Sequence, residues 1–187
     1  MSEYKGQTSI TIQAPIETVY NYLADFSKHC EWAENIKSVT QIEAGPVRVG
    51  TRFKTAEGPP PVGLLKKMGM MLHFMRGVAG GAKTYSVAKI TALEPPVRIG
   101  WEAGIPRGDD FFNFVEWEFI LESEGSSTHL TQRFNWQPQN PTAEQMVKAA
   151  GMSGLEQAVG KSLRQLKEHL EQKRTQQGKA ERVDATV

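Results

Sequence analysis

From Ile36 to Trp136 the chain passes from one strand-like segment to the next, and no complete helix announces itself between them. The clearest segment is 111–122, where Phe111, Asn113, Val115, Trp117, Phe119 and Leu121 alternate with positions that include Glu116, Glu118 and Glu122. Successive side chains of a strand point to opposite faces, so the first set is predicted inward and the glutamates outward. A turn at Glu124-Gly125-Ser126-Ser127 leads to 128–136, with Leu130, Gln132, Phe134 and Trp136 on one face. Shorter strands are predicted at 8–13, 36–43, 50–56, 83–93 and 97–103, punctuated by Gly45-Pro46, Pro95-Pro96 and the Gly-, Pro- and Asp-rich stretch 104–110. Strands that follow one another without alternating crossover helices form an antiparallel sheet, which gives an α+β fold class. Such a sheet has one wet face, and its apolar face must be covered by something else.

The cover is expected from the C-terminal third. Thr142 with Gln145 three residues on reads as a capping box. A single long helix is predicted from there to about residue 173, with Leu155, Val159, Leu163, Leu166 and Leu170 as its apolar stripe. Gly151, Ser153, Gly154 and Ala158 make its first half small. A glycine inside a helix costs about 1 kcal/mol relative to alanine, so these residues have a compensating role. Close approach to the sheet, room for a ligand and a kink all fit. Near the N-terminus, Ala14-Pro15 opens a helix carrying Ile16, Val19, Tyr20 and Leu23 on one face, with Glu17 near its positive end. Residues 25–32 read as a second short helix, capped by Asp25 or Ser27. At 187 residues the chain suits one domain, 1–173, with a polar, disordered tail over 174–187. A globule of this size buries about 70% of its unfolded surface, enough for a core.

One segment breaks the rhythm. Residues 57–82 open with Gly58-Pro59-Pro60-Pro61 and close with Gly80-Gly81. At about 26 residues the segment is too long for a hairpin loop and reads as a functional loop or lid. Four of the seven methionines fall between Met68 and Met75. The candidate lid residues are Leu64, Met68, Met71, Leu72, Phe74 and Met75. Lys66, Lys67, His73 and Arg76 make the segment too charged to span a bilayer, and Gly63, Gly69, Gly77 and Gly80 weaken it as a helix. Three readings stand: a loop packed on the sheet edge, a lid over an apolar ligand, or a surface that docks on a membrane or partner.

Charge and chemistry-bearing residues narrow the function by exclusion. Lys and Arg total 22 against 21 Asp and Glu, which leaves no basic excess for a nucleic-acid footprint. The N-terminus is polar and carries no secretory signal, and Cys30 is the sole cysteine, so a cytoplasmic protein without disulfides is expected. His29, His73, His129 and His169 are scattered, and no metal and no cofactor is expected. Cys30 reads as a small packing residue, and no Gly-x-Ser-x-Gly or phosphate-binding glycine motif occurs. His129 is predicted to face solvent opposite Leu130, and His169 to lie in the last turns of the long helix. What remains is an apolar interior with a few polar groups, Asn113 and Gln132 foremost among them.

These residues also resemble a known superfamily. The strand–Ala14-Pro15-x-x-x-Val19–helix–Asp25–Trp32 opening, Val49-Gly50-Thr51-Arg52-Phe53, the run from Leu93-Glu94-Pro95-Pro96 to Gly100-Trp101-Glu102, Trp117-x-Phe119 and Thr128 are similar, in order, to SRPBCC (START-like) domains. The polyketide cyclase/dehydrase-like branch is the nearest. The resemblance spans roughly residues 5–172 and departs at 57–82. It implies a helix-grip fold, a curved seven-stranded antiparallel sheet around a long C-terminal helix, with two short helices after strand 1. It further implies a hydrophobic cavity between sheet and helix. The candidate ligand-binding set is Trp32, Trp101, Asn113, Val115, Trp117, Gln132 and Phe134, with Met146, Ala150 and Gly154 of the long helix. The partner would be a hydrophobic small molecule or lipid, with weak membrane-surface contact and either a monomer or a homodimer. Two other functions follow from the same resemblance: a cyclase/dehydratase-like enzyme, and a co-chaperone-like or quinone/lipid-carrier interaction module.

Overall fold

The computed structural model describes residues 3–184 other than 34 and 59–62, and side chains as far as Lys173. Strand β1 (Tyr4–Ile12) is followed by helix α1 (Ile16–Ala24), a 3₁₀ turn (Phe26–Lys28) and α2 (His29–Trp32). Then come β2 (Ile36–Gln41), β3 (Arg52–Glu57), α3 (Leu64–Ala79), β4 (Ser86–Glu94), β5 (Arg98–Arg107), β6 (Asp110–Glu124) and β7 (Ser127–Pro138). Helices α4 (Pro141–Ala150) and α5 (Met152–Asp184) close the chain. The seven strands form one antiparallel sheet in the order β1-β7-β6-β5-β4-β3-β2. From β2 to β7 sequential strands are neighbours, and β1 crosses over to pair with β7, so that β1 and β2 form the two edges. The sheet curves around α5, whose Leu155, Val159, Leu163, Leu166 and Leu170 are all buried. Lys167 Nζ donates to the Thr11 carbonyl (2.6 Å), and the Gln13 amide donates to Glu171 (2.8 Å), fixing α5 across the β1–α1 corner. No described helix is long and apolar enough to cross a membrane.

The inserted segment is the largest departure from the strand-and-turn expectation. Its core is α3, a helix of 16 residues, and its glycines are contact points rather than breaks. A Cβ on Gly77 would lie 2.5 Å from the ring of the fully buried Phe112, so only glycine lets α3 seat on β6. Gly69 faces Ala149 of α4, where an added Cβ would sit 3.5 Å from that methyl. The helix ends where Gly81 takes φ +91°, a conformation that L side chains rarely adopt.

The C-terminal helix is not continuous. Gly151 has φ +71° and separates α4 from α5, so one long helix is corrected to two. The cap of α4 is Asn140, not Thr142. Its Oδ1 accepts from the Ala143 amide (3.0 Å) and its Nδ2 donates to the Phe112 carbonyl (2.8 Å). That second bond ties the start of α4 to β6. The alternation of β6 holds from Asn113 to Leu121 but fails at its start. Asn113 pairs with Ile105 and Phe111 with Pro106, so Phe112 is an extra residue. This bulge turns Phe112 inward at 0% exposure and leaves Phe111 at 37%, which corrects the inward placement of Phe111. Cys30 is exposed, its Sγ 3.2 Å from the Ser27 carbonyl, and is no packing residue. His169 is not at a helix end, because α5 continues past it; its Nε2 is 3.1 Å from Glu31 of α2.

Candidate functional site

The concave face of the sheet, α2, α3, α4 and α5 enclose a cavity of about 340 Å³. One end is aromatic. Trp101 packs on Phe119 with centroids 4.9 Å apart, and its ring stacks parallel to Trp117 at 6.0 Å. Phe26 and His29 stack at 4.4 Å, and Phe26 meets Trp101 edge-on at 5.6 Å. The aliphatic part of the wall comes from Val115, Ala88, Ala103 and Ile105 of the sheet and Leu155, Ala158 and Val159 of α5.

Of the sequence-predicted ligand set, Trp32, Trp101, Asn113, Val115, Trp117, Gln132, Phe134 and Met146 line this cavity. Ala150 and Gly154 are buried but do not border it. The break at Gly151 turns the face of α5, so that Leu155, Ala158, Val159 and Ser162 line the wall instead. The predicted lid residues divide. Met71 and Phe74 reach the cavity together with Met70, whereas Leu64, Met68, Leu72 and Met75 stand in solvent.

The polar groups on the wall are few and unequal. Asn113 is buried, and its Oδ1 accepts from the indole N–H of Trp136, so its carbonyl is satisfied by a neighbouring strand. Of the buried side-chain atoms without a hydrogen-bond partner among the described residues, two belong to residues of this wall: the Trp32 indole Nε1 and the Gln132 Oε1. Their residues are 4% and 6% exposed. Buried polar atoms in folded proteins are almost always paired, so these two are exceptions; both lie behind the wall surface and are not presented to the cavity.

Two wall groups, His29 and Glu57, lay outside the sequence-predicted site. His29 is fully enclosed, and its Nε2 donates to the Leu23 carbonyl (3.0 Å). Burial pushes its pKa down to about 4, against the Leu23 bond and the Asp25 charge, which favour the cation. At neutral pH the ring is therefore neutral, with Nδ1 as its acceptor. Glu57, at the end of β3, is the one carboxylate on the wall among the described residues. It accepts from Ser86 Oγ, which in turn accepts from Thr55 Oγ1. His29 hides in a four-residue helix too short to show a period, and Glu57 sits where β3 gives way to the insertion. Among the described residues no three His, Cys, Asp or Glu side chains cluster as metal ligands do.

Glu116 and Glu118 face the outer surface, where Arg98 bridges Glu94 (2.7 Å) and Glu118 (2.5 Å) and Asn135 Nδ2 donates to Glu116 (2.9 Å). A second, open concavity lies on this charged face. Its groups bond one another rather than converging on a common point.

No curated protein matches the sequence. Among solved structures, the Zhui aromatase/cyclase from a Streptomyces species superposes with a TM-score of 0.66 at 11% identity, covering 91% of this chain and 94% of that one. A conserved protein from Geobacillus kaustophilus gives 0.61 at 15% identity over 90% and 95% of the two chains. A protein from Chromobacterium violaceum gives 0.59 at 18% over 90% and 98%. At these identities the likeness is one of fold. The family described as polyketide cyclase/dehydrase and lipid transport matches residues 4–171, which run from the first residue of β1 into α5. On that span the chain belongs to the polyketide cyclase/dehydrase and lipid transport family.

Proposed function

We propose that this protein binds a small apolar or aromatic molecule, held between the sheet and α5. The observation that carries the reading is an apolar cavity of about 340 Å³ bordered by the rings of Trp32, Trp101, Trp117 and Phe134. That volume falls at the small end of ligand cavities, and a wall of rings with a few polar groups is the usual ligand-site chemistry. Stacked Trp101 and Trp117 suit a flat ring system. The test is native mass spectrometry of protein purified from cells, followed by titration with lipophilic fluorophores that quench tryptophan emission. Ala158→Leu narrows the cavity from a helix that tolerates leucine, and is expected to weaken binding at least tenfold without loss of fold. Unchanged affinity in that variant, or no ligand of any kind captured, would count against the reading.

A second reading, a cyclase/dehydratase-like enzyme, is favoured by one observation: Glu57 meets the cavity through a Ser86–Thr55 hydroxyl pair. Such a carboxylate could take a proton from a carbon beside a carbonyl and pass it to the departing hydroxyl, so that C–H and C–O bonds break, a C=C bond forms and water leaves. If so, Glu57→Gln should hold a species heavier by one water than the product released by the native protein. Identical contents in both would leave binding alone.

A further inference from the structure

We propose that α3 docks on the surface of an anionic lipid bilayer, with the cavity mouth turned toward the membrane. Seven of its sixteen residues face solvent as a single apolar surface: Leu64, Leu65, Met68, Met71, Leu72 and Met75, with Ala79. Leu65 is 85% exposed and Leu64 74%. At about 100° per residue these positions fall within an arc of roughly 120°. The opposite face, with Met70, Phe74 and Gly77, is the one seated on the protein. The helix is thus apolar on two sides, and only one is used in the fold. Scattered exposed leucines need no explanation, but a contiguous stripe of this length does.

Charge identifies the occupant. Helix α3 has no acidic residue, and it carries Lys66, Lys67, His73 and Arg76. Lys67 and Arg76 fall at the two edges of the stripe, about 40° and about 20° beyond its outermost apolar residues on the same helical wheel. Long basic side chains at the borders of an apolar face lie with their stems on hydrocarbon and their charges among phosphates. A protein groove would be expected to ask for acidic and basic groups alike; a purely cationic rim with Met and Leu between matches an anionic leaflet. The whole chain carries a net charge of only +1, so the cationic character is local to this helix. Met71 belongs both to the stripe and to the cavity wall, so a bilayer against the stripe lies beside the cavity. Docking does not depend on any ligand being bound, and vesicle association is read separately from ligand affinity.

The test is co-sedimentation of the full chain with vesicles of phosphatidylcholine and of an equimolar phosphatidylcholine–phosphatidylglycerol mixture. Binding is expected to the mixed vesicles, and to weaken as salt is raised. Neutralising Lys67 and Arg76 together as Lys67→Gln and Arg76→Gln should lower the partition coefficient about fivefold per charge. Leu65→Glu with Met68→Glu, both at exposed positions, should abolish sedimentation and leave thermal unfolding and tryptophan quenching by a lipophilic probe unchanged. Absence of binding to either vesicle overturns the proposal. So does binding that survives Leu65→Glu with Met68→Glu, because another surface is then responsible. Light scattering that shows a dimer dissociated by those substitutions, with no vesicle association, assigns the stripe to a second copy of the chain and also overturns it.

Discussion

His29 shows how one buried side chain sets a response of the whole fold. Enclosed between Phe26, Trp32 and Trp101, it holds a pKa of about 4 where an exposed histidine has 6.5. Above pH about 6.5 the ring is neutral in both folded and unfolded chains, and stability does not depend on it. As pH falls from about 6.5 to about 4, the unfolded chain takes up a proton that the folded one refuses, so stability declines. Between pH 7 and pH 5 the loss attributable to this ring is about 2 kcal/mol. Urea midpoints measured across that range should therefore fall, and His29→Gln should flatten the slope. A native protein equally stable at both pH values would contradict the burial of the neutral ring. Gln132 makes the complementary case. Its buried Oε1 is unpaired, so Gln132→Met, similar in shape and free of polar atoms, should raise the stability of the unliganded protein by about 1 kcal/mol. Calorimetric melting of the native protein and the variant, both without probe, measures the gain. Gln132 and Asn113 were legible because the period of a strand alone assigns each of its residues to a face. His29 was not, since its placement is a tertiary matter.

At the scale of elements, period two carried the sheet and a strict reading of glycine misjudged the helices. All seven strands and their antiparallel succession follow from alternation and turn residues, because both are local properties of the backbone. Helix α3 does not, because its glycines serve contacts with residues distant in sequence. Gly77 rests on Phe112 of β6, and Phe112 faces inward only because a bulge shifts the register there. Gly77→Ala tests the relation. In an isolated helix alanine would be favoured by about 1 kcal/mol. Here the added methyl would meet the ring at 2.5 Å, and overpacking of this kind costs about 1–3 kcal/mol. The variant should be destabilised in chemical denaturation, with α3 displaced from β6. A more stable protein would show that the α3–β6 contact has room for a methyl group after all. Gly151 behaves in the opposite way to Gly77: its φ of +71° marks a true break, and the break moves Ala150 and Gly154 off the cavity wall. Sequence alone grouped Gly151, Ser153, Gly154 and Ala158 and allowed a kink among them, but could not say which glycine bends the chain.

For the whole molecule, the curved sheet with α5 forms one unit and α3 is an addition, packed chiefly on α4 and touching β6 through Gly77. Strands β3 and β4 pair directly, with Thr55 opposite Ser86, so the ends of the insertion are adjacent in space. Excision of residues 59–82 leaves Ala56, Glu57, Gly58, Lys83, Thr84 and Tyr85 to close that hairpin, a loop length within the ordinary range. The main core, built from β1 and β4–β7 on α1 and α5, loses few partners, and cooperative unfolding should persist. The denaturant m-value should fall, because α3 no longer contributes surface to be exposed. The cavity loses Met70, Met71 and Phe74 from its wall, so a lipophilic probe should still bind but dissociate faster. Vesicle association should vanish with the helix. These outcomes separate the roles of the two parts: a shortened chain that releases probe no faster would show that α3 does not close the cavity, whatever it does at a membrane. A shortened chain that fails to unfold cooperatively would show instead that the sheet needs α3 for its own stability, and that the insertion belongs to the core.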